Sequence, residues 1–214
     1  MNKTKKSQFF NQLADIKLGD HLCLIYNTLS EQFSSIIPFI KIGLDRNEKC
    51  IYVADDNTTE AVIKAMKLDD SKLFLSAIKK GNLLLLTKNE TYLKDGYFSP
   101  KKMVAFIKKT ARTAIKNGYT GLRITGEMTW MFGGDPGSEK LIEYEYKLND
   151  FFEEYGVCAI CQYNQKRFSE ELLVDVFKTH PYVIYGKKII QNPIYLSDEE
   201  FSSARQKMLK ILKK

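Results

Sequence analysis

The sequence predicts an α/β fold in which a mostly parallel sheet is covered by helices on both faces. Six apolar runs of strand length recur along the 214 residues, and most of them lack alternating polar positions. Runs of this kind are typical of parallel strands that are buried on both sides. Segments with helical spacing separate them, so the chain repeats a strand–helix–strand unit that favours right-handed crossovers.

The predicted strands follow from these runs. In chain order they cover residues 21–26, 50–55, 83–87, 122–128, 157–163 and 182–185. A further strand-like segment, 188–196, contains Pro193, which favours a sheet edge or a turn because proline cannot donate a ladder hydrogen bond.

Helices are predicted between the strands from apolar stripes and end signals. Ser30 is the predicted N-cap of the first helix, and Asp70 caps a short one that stops at Gly81. Pro100 suits the first turn of a long helix. Two more helices are indicated by the stripes within 141–155 and 172–177.

The net charge of +7 is concentrated at the two ends of the chain. Residues 1–6 and 201–214 are Lys-rich, and residues 7–200 carry a net charge of −1. Such tails are usually solvated, so we expect neither a specific nucleic-acid partner nor a membrane partner. No apolar run approaches the length of a membrane span, and residues 1–17 lack the apolar core of a secretory signal. The sequence therefore predicts a cytoplasmic protein.

Four cysteines raise the question of a metal or redox site. Cys158 and Cys161 form a CxxC pattern inside a predicted strand, where residues three apart face opposite sides. His21 and His180 are the only histidines, and no spacing in the sequence groups them with a cysteine. We therefore predict buried, reduced thiols, two structural histidines, and no metal or cofactor.

The connection after the first strand argues against a nucleotide site. No glycine and no lysine occurs between Tyr26 and Pro38, whereas a phosphate-binding loop requires both. A nucleophile–His–acid set is also missing, although paired carboxylates leave acid–base chemistry as an alternative. We expect no enzymatic activity.

The fourth predicted strand carries the most unusual residues. Arg123 and Glu127 share one face of it, about 13 Å apart, and each needs another partner if it is buried. Trp130 follows the strand and could form a pocket wall or part of the core. A buried ion-pair network and a ligand site are both compatible with this pattern.

Other polar and aromatic residues follow neighbouring strands and meet at the same sheet edge. The predicted ligand-binding set lines a polar-rimmed pocket and comprises Arg123, Glu127, Trp130, Glu90, Tyr92, Gln162, Tyr163 and Asp55. In such a pocket the charged groups orient a polar head group and the aromatic rings cover an apolar part.

Eight short segments together resemble a known family. They are 19–21, 50–56, 90–93, 122–130, 143–145, 161–163, 179–181 and 192–193. In this order, from about residue 17 to 196, they are similar to the MEDS domain, the DcmR-like sensory domain of methanogens and methylotrophs.

The resemblance implies a RecA- or KaiC-like three-layer α/β/α sandwich with a degenerate nucleotide loop. It also implies a role in sensing small hydrocarbon derivatives, often beside a DNA-binding or histidine-kinase module. The predicted organisation is a basic segment 1–16, a sensory domain 17–196 and a basic helix 197–214. The last segment is too short for a DNA-binding domain, so we expect a regulatory partner in trans or a homo-oligomer. The alternatives are a residual nucleotide-binding protein or enzyme, and a ligand-free interaction module.

Overall fold

Seven strands form one sheet in a computed structural model that describes residues 3–197, 199–201 and 203. The strand order is β3-β2-β4-β5-β1-β6-β7, and every pair is parallel except β6 with β7. The bounds are β1 His21–Tyr26, β2 Lys49–Ala54, β3 Leu83–Thr87, β4 Leu122–Glu127, β5 Val157–Asn164, β6 Tyr182–Tyr185 and β7 Lys188–Gln191. The six predicted strands are confirmed to within one residue, and the edge strand ends before Pro193.

Helices cover both faces of the sheet. They are α1 Lys3–Asp15, α2 Leu29–Asp45, α3 Thr59–Lys80, α4 Pro100–Lys116, α5 Leu141–Asn149, α6 Phe152–Tyr155 and α7 Glu170–Thr179. One apolar core lies between the sheet and α1–α3, and the other lies between the sheet and α4–α7. The three-layer prediction is confirmed, because alternate residues of each central strand enter alternate cores.

Two helix starts refine the predictions. The N-cap of α2 is Thr28 rather than Ser30, since the Thr28 hydroxyl accepts a hydrogen bond from the Glu31 backbone N–H. Asp70 does act as a cap: it breaks α3 with a non-helical backbone, and its carboxylate accepts from the Leu73 N–H at 3.0 Å. The helix extends upstream of this kink to Thr59.

The two end segments pack against the domain where the structure describes them. Helix α1 lies within the predicted segment 1–16, and its Phe9 and Leu13 are buried in the same core as α2. The folded unit therefore begins before residue 17. Most of the predicted helix 197–214 lies outside the described residues, but the Phe201 ring stacks on Tyr146 with centroids 3.9 Å apart. Within the described part of the chain, none of the helices is both long and apolar enough to cross a membrane.

Candidate functional site

Glu127 organises a buried polar network at the carboxyl end of the sheet. Its Oε1 accepts from the Tyr52 hydroxyl at 2.5 Å, from Asn57 Nδ2 at 2.7 Å and from Gln32 Nε2 at 3.3 Å. Its Oε2 accepts from the backbone N–H groups of Asp55 and Asn57. Burial raises the pKa of Glu127, and the hydrogen bonds from Tyr52 and Asn57 oppose that shift. The partners are neutral donors rather than a cation.

Gln162 and Asp55 extend this network. Gln162 Oε1 accepts from Gln32 Nε2 at 2.7 Å, and Gln162 Nε2 donates to the Thr125 hydroxyl. The Asp55 carboxylate pairs with Lys88 at 2.8 Å and accepts from the Thr129 hydroxyl at 2.6 Å. Three of the predicted site residues thus lie together, at the strand ends where ligands bind in open parallel sheets.

The loop between β1 and α2 carries its own side-chain caps. The Glu31 carboxylate accepts from the Asn27 backbone N–H at 2.8 Å, and Thr28 caps the helix. These two hydrogen bonds occupy the backbone N–H groups of Asn27 and Glu31, and the Glu31 carboxylate places a negative charge beside the start of α2.

Tyr92 and Trp130 belong to an aromatic cluster on the opposite face of the sheet. Their rings stack with centroids 4.9 Å apart and an interplanar angle of 19°. The ring centroids of Phe98 and Trp130 lie 4.4 Å apart, and the Tyr144 ring packs edge to face on Phe98 with centroids 5.4 Å apart. Trp130 is fully buried, and its indole N–H meets no hydrogen-bond partner within the part of the chain that the structure describes.

A surface cleft of about 280 Å³ opens beside this cluster, between residues 90–99 and α4. Apolar and aromatic surface forms part of its wall, and charged groups stand at its rim. Lys102 pairs with Asp95 at 2.6 Å and lies 4.6 Å from the centre of the Tyr97 ring. The lining includes Glu90, Tyr92, Tyr97, Lys102, Ala105 and Phe106. Two predicted residues, Glu90 and Tyr92, therefore line a cleft of ligand size.

Arg123 lies at the other end of β4, so the prediction of one pocket shared with Glu127 requires correction. Its guanidinium pairs with Glu48, which follows α2, with Nη2 3.2 Å from Oε1. It also lies 4.5 Å from the centre of the Phe39 ring. Both members of the pair are buried. Of the two alternatives left open for this strand, Arg123 therefore fits the buried ion pair. The length of β4 separates this pair from Glu127 at the carboxyl edge of the sheet.

Tyr163 leads to a second polar cluster that the sequence did not reveal. Residues 162 and 163 face opposite sides of β5, and the Tyr163 hydroxyl donates to Glu145 Oε1 at 2.5 Å. Glu145 Oε2 lies 3.3 Å from His21 Nε2 and 3.5 Å from His180 Nε2. Burial lowers the pKa of His21, and the nearby His180 lowers it further. Burial alone would raise the pKa of Glu145, but His180 and His21 hold it below its ordinary value.

Cys161 completes this cluster. Its Sγ lies 3.5 Å from His21 Nε2 and 3.3 Å from Glu145 Oε2. Cys158 enters the opposite core, as the strand argument predicted. The sequence showed no clustered histidine beside these cysteines, but the structure brings His21 and His180 to Cys161, with their ligand atoms within 4.8 Å of one another. Each of the four clustered residues lies in one of the segments that carry the family resemblance. This shared placement was the only feature noted in the sequence that could have indicated the cluster.

Comparisons with known proteins agree with the fold. The chain is 23% identical over 177 residues to the transcriptional repressor DcmR of Methylorubrum extorquens, covering 78% of this chain and 60% of that protein. The chain thus spans less than two thirds of that relative.

Solved structures with low sequence identity share the architecture. A KaiC-like protein of Pyrococcus horikoshii OT3 has a TM-score of 0.55 at 16% identity, over 77% of this chain and 71% of that chain. The flagellar accessory protein FlaH of Methanocaldococcus jannaschii has a TM-score of 0.50 at 14% identity, over 84% and 79%. These likenesses establish a RecA-like fold.

The family model described as "MEthanogen/methylotroph, DcmR Sensory domain" (MEDS) matches residues 20–181. Because that match spans most of the sequence, the chain belongs to the MEDS family of sensory domains.

Proposed function

We propose that the chain acts in the cytoplasm as a non-enzymatic sensor of small organic molecules, such as one-carbon or other short hydrocarbon derivatives. Membership of a sensory-domain family and similarity to a transcriptional repressor support this proposal. The ligand binds in the cleft between residues 90–99 and α4. Ligand binding then signals to a regulatory protein on another chain.

The position of Tyr92 is the observation that carries this proposal. Its side chain lines the cleft and stacks on the buried Trp130, so one residue contacts both the ligand space and the core. The cleft offers apolar surface from Phe106 and charged groups such as Lys102 and Glu90. Such a mixture suits a small molecule with an apolar body and one polar group.

A thermal-shift screen of short alcohols, amines and halogenated methanes tests the ligand class. A compound that binds only the folded state raises the melting temperature, and the rise grows with the ratio of its free concentration to its dissociation constant. Failure of every compound in these classes to raise it, at concentrations up to solubility, would contradict the proposed ligand class.

Two variants on the same helix then test the place of binding. Ala105→Trp fills the cleft without removing a core side chain, because Ala105 is an exposed lining residue. Thr113→Trp adds the same bulk to an exposed position of α4 outside the lining. A compound found in the screen should stabilise the parent and Thr113→Trp but not Ala105→Trp. Equal stabilisation of all three would place binding elsewhere.

A further inference from the structure

The buried cluster of His21, Glu145, Cys161 and His180 draws its members from four separate parts of the fold. They come from the start of β1, from α5, from β5 and from the residue that ends α7. All four side chains are buried, and their ligand atoms lie within 4.8 Å of one another.

Three separations within the cluster are close to those of atoms around a common ion. Typical bond lengths from zinc to nitrogen, oxygen and sulfur are about 2.0–2.3 Å, so tetrahedral angles place N and O about 3.4 Å apart and N and S about 3.6 Å apart. The observed N–O separations are 3.3 and 3.5 Å, the separation of His21 Nε2 from Cys161 Sγ is 3.5 Å, and that of Glu145 Oε2 from Cys161 Sγ is 3.3 Å. Ordinary N–H···O hydrogen bonds are shorter, at about 2.9–3.0 Å.

The surroundings orient each histidine for binding through Nε2. His180 Nδ1 lies 2.8 Å from the carbonyl oxygen of Val176, which can only accept a hydrogen bond. His21 Nδ1 lies 2.9 Å from Asn149 Oδ1, and the amide of Asn149 is fixed because its Nδ2 donates to the Thr179 carbonyl. Neutral histidines held in this way carry the proton on Nδ1 and direct the Nε2 lone pair into the cluster.

The carboxylate is oriented as well. Tyr163 donates to Glu145 Oε1, which leaves Oε2 facing both histidines and Cys161. Among the described residues, the fully buried His180 Nε2 has no hydrogen-bond partner, and Glu145 Oε2 lies 3.5 Å from it. A buried lone pair that faces a carboxylate oxygen is unfavourable unless a cation lies between them.

We propose that these four residues bind one divalent transition-metal ion, zinc in the first place, in a closed tetrahedral site. A mixed nitrogen, sulfur and oxygen set is typical of zinc. A thiolate and a carboxylate together neutralise the two positive charges, which suits full burial. With four protein ligands the site is structural: it ties β1 and β5 to α5 and to the end of α7, independently of the ligand proposed for the cleft.

Metal analysis of the untagged full chain tests this assignment. We expect about one zinc per chain after dialysis against a weak chelator, and at least a tenfold loss of bound metal in Cys161→Ala and in His180→Gln. Cys158→Ala is the matched control, because this thiol is also buried in β5 but faces the opposite core. It should keep the metal content of the parent.

A second measurement does not depend on whether the variants fold. Cobalt added to the chelator-treated parent chain should give the visible bands of tetrahedral Co²⁺ and a near-ultraviolet thiolate-to-cobalt band. Zinc should then abolish both. A freshly purified, reduced parent chain that holds no metal and gives no thiolate–cobalt band would overturn the proposal. Metal retained equally by Cys161→Ala and by the parent would also overturn it.

Discussion

The hydroxyl of Tyr92 lies against Gly126, in the space that a Cβ atom at residue 126 would occupy. Gly126 is in β4, a strand that is paired on both sides, so its backbone cannot retreat. Tyr92 therefore depends on a residue without a side chain to keep its place in the aromatic cluster.

Replacing Gly126 with alanine should displace Tyr92 from its stack on Trp130. We expect a loss of about 1–3 kcal/mol in the free energy of unfolding, the usual cost of overpacking a core. Fluorescence of Trp130, the only tryptophan, should change as well. Adding Tyr92→Phe to Gly126→Ala should restore part of the stability. A Gly126→Ala variant as stable as the parent would show that the ring moves freely.

The Glu127→Gln variant should be clearly destabilised. Glutamine keeps one acceptor oxygen, but its NH₂ group would face donors that bind the carboxylate in the parent protein. Each buried donor left without a partner lowers the free energy of unfolding by about 1–3 kcal/mol. Urea unfolding should show a lower midpoint with an unchanged m-value. Glu90→Gln is the control for stability, because the same substitution there affects a carboxylate that is exposed and caps a turn at Thr87. Equal midpoints for Glu127→Gln and the parent would contradict the network.

Gly43→Ala should destabilise the protein although alanine favours helices. A Cβ at this position would lie 2.5 Å from Arg123 Cδ and 2.8 Å from Cys50 Sγ. Arg123 cannot give way, because Glu48 and the Phe39 ring hold it. We expect a loss of about 1–3 kcal/mol. Ser34→Ala, which removes a surface hydroxyl from α2, should change the midpoint far less. Stabilisation by Gly43→Ala would disprove the close packing around Arg123.

ATP should neither stabilise the chain nor be hydrolysed by it. The Glu31 carboxylate accepts the Asn27 N–H at the start of α2, and no lysine lies in this loop to neutralise phosphates. Titration calorimetry with Mg-ATP is the measurement. A dissociation constant on the order of 1 μM, which corresponds to about 8 kcal/mol of binding, would refute the prediction.

The thiols of Cys50 and Cys158 should resist alkylation in the folded protein. Burial raises the pKa of both, that of Cys158 to about 12, so almost no thiolate forms at pH 8. Iodoacetamide labelling followed by peptide mass spectrometry should modify them only after denaturation. Rapid labelling of either thiol without denaturant would indicate that β2 or β5 opens readily.

Strand and helix positions were predictable because they depend on local apolar spacing, as in His21–Tyr26 and Pro100–Lys116. The pairing of Arg123 with Glu48 was not predictable, since 75 residues separate them and Glu48 lies in the short connection between α2 and β2. The cluster of His21 and His180 could be predicted even less from local patterns. The two histidines meet only because β6 pairs with β1 and because Glu145 of α5 contacts both of them.

The buried carboxylates of Glu48 and Glu127, on the α2–α3 face of the sheet, also help to determine the alignment of the strands. Arg123 finds Glu48 and Glu127 finds Tyr52 only when β4 sits beside β2 in the observed alignment. Because neighbouring side chains point to opposite faces, a slip of one residue would turn both charged side chains of β4 into the aromatic layer around Trp130. We expect the burial of these unpaired charges to make the misaligned sheet much less stable. The polar groups of β4 therefore favour the observed alignment of the strands.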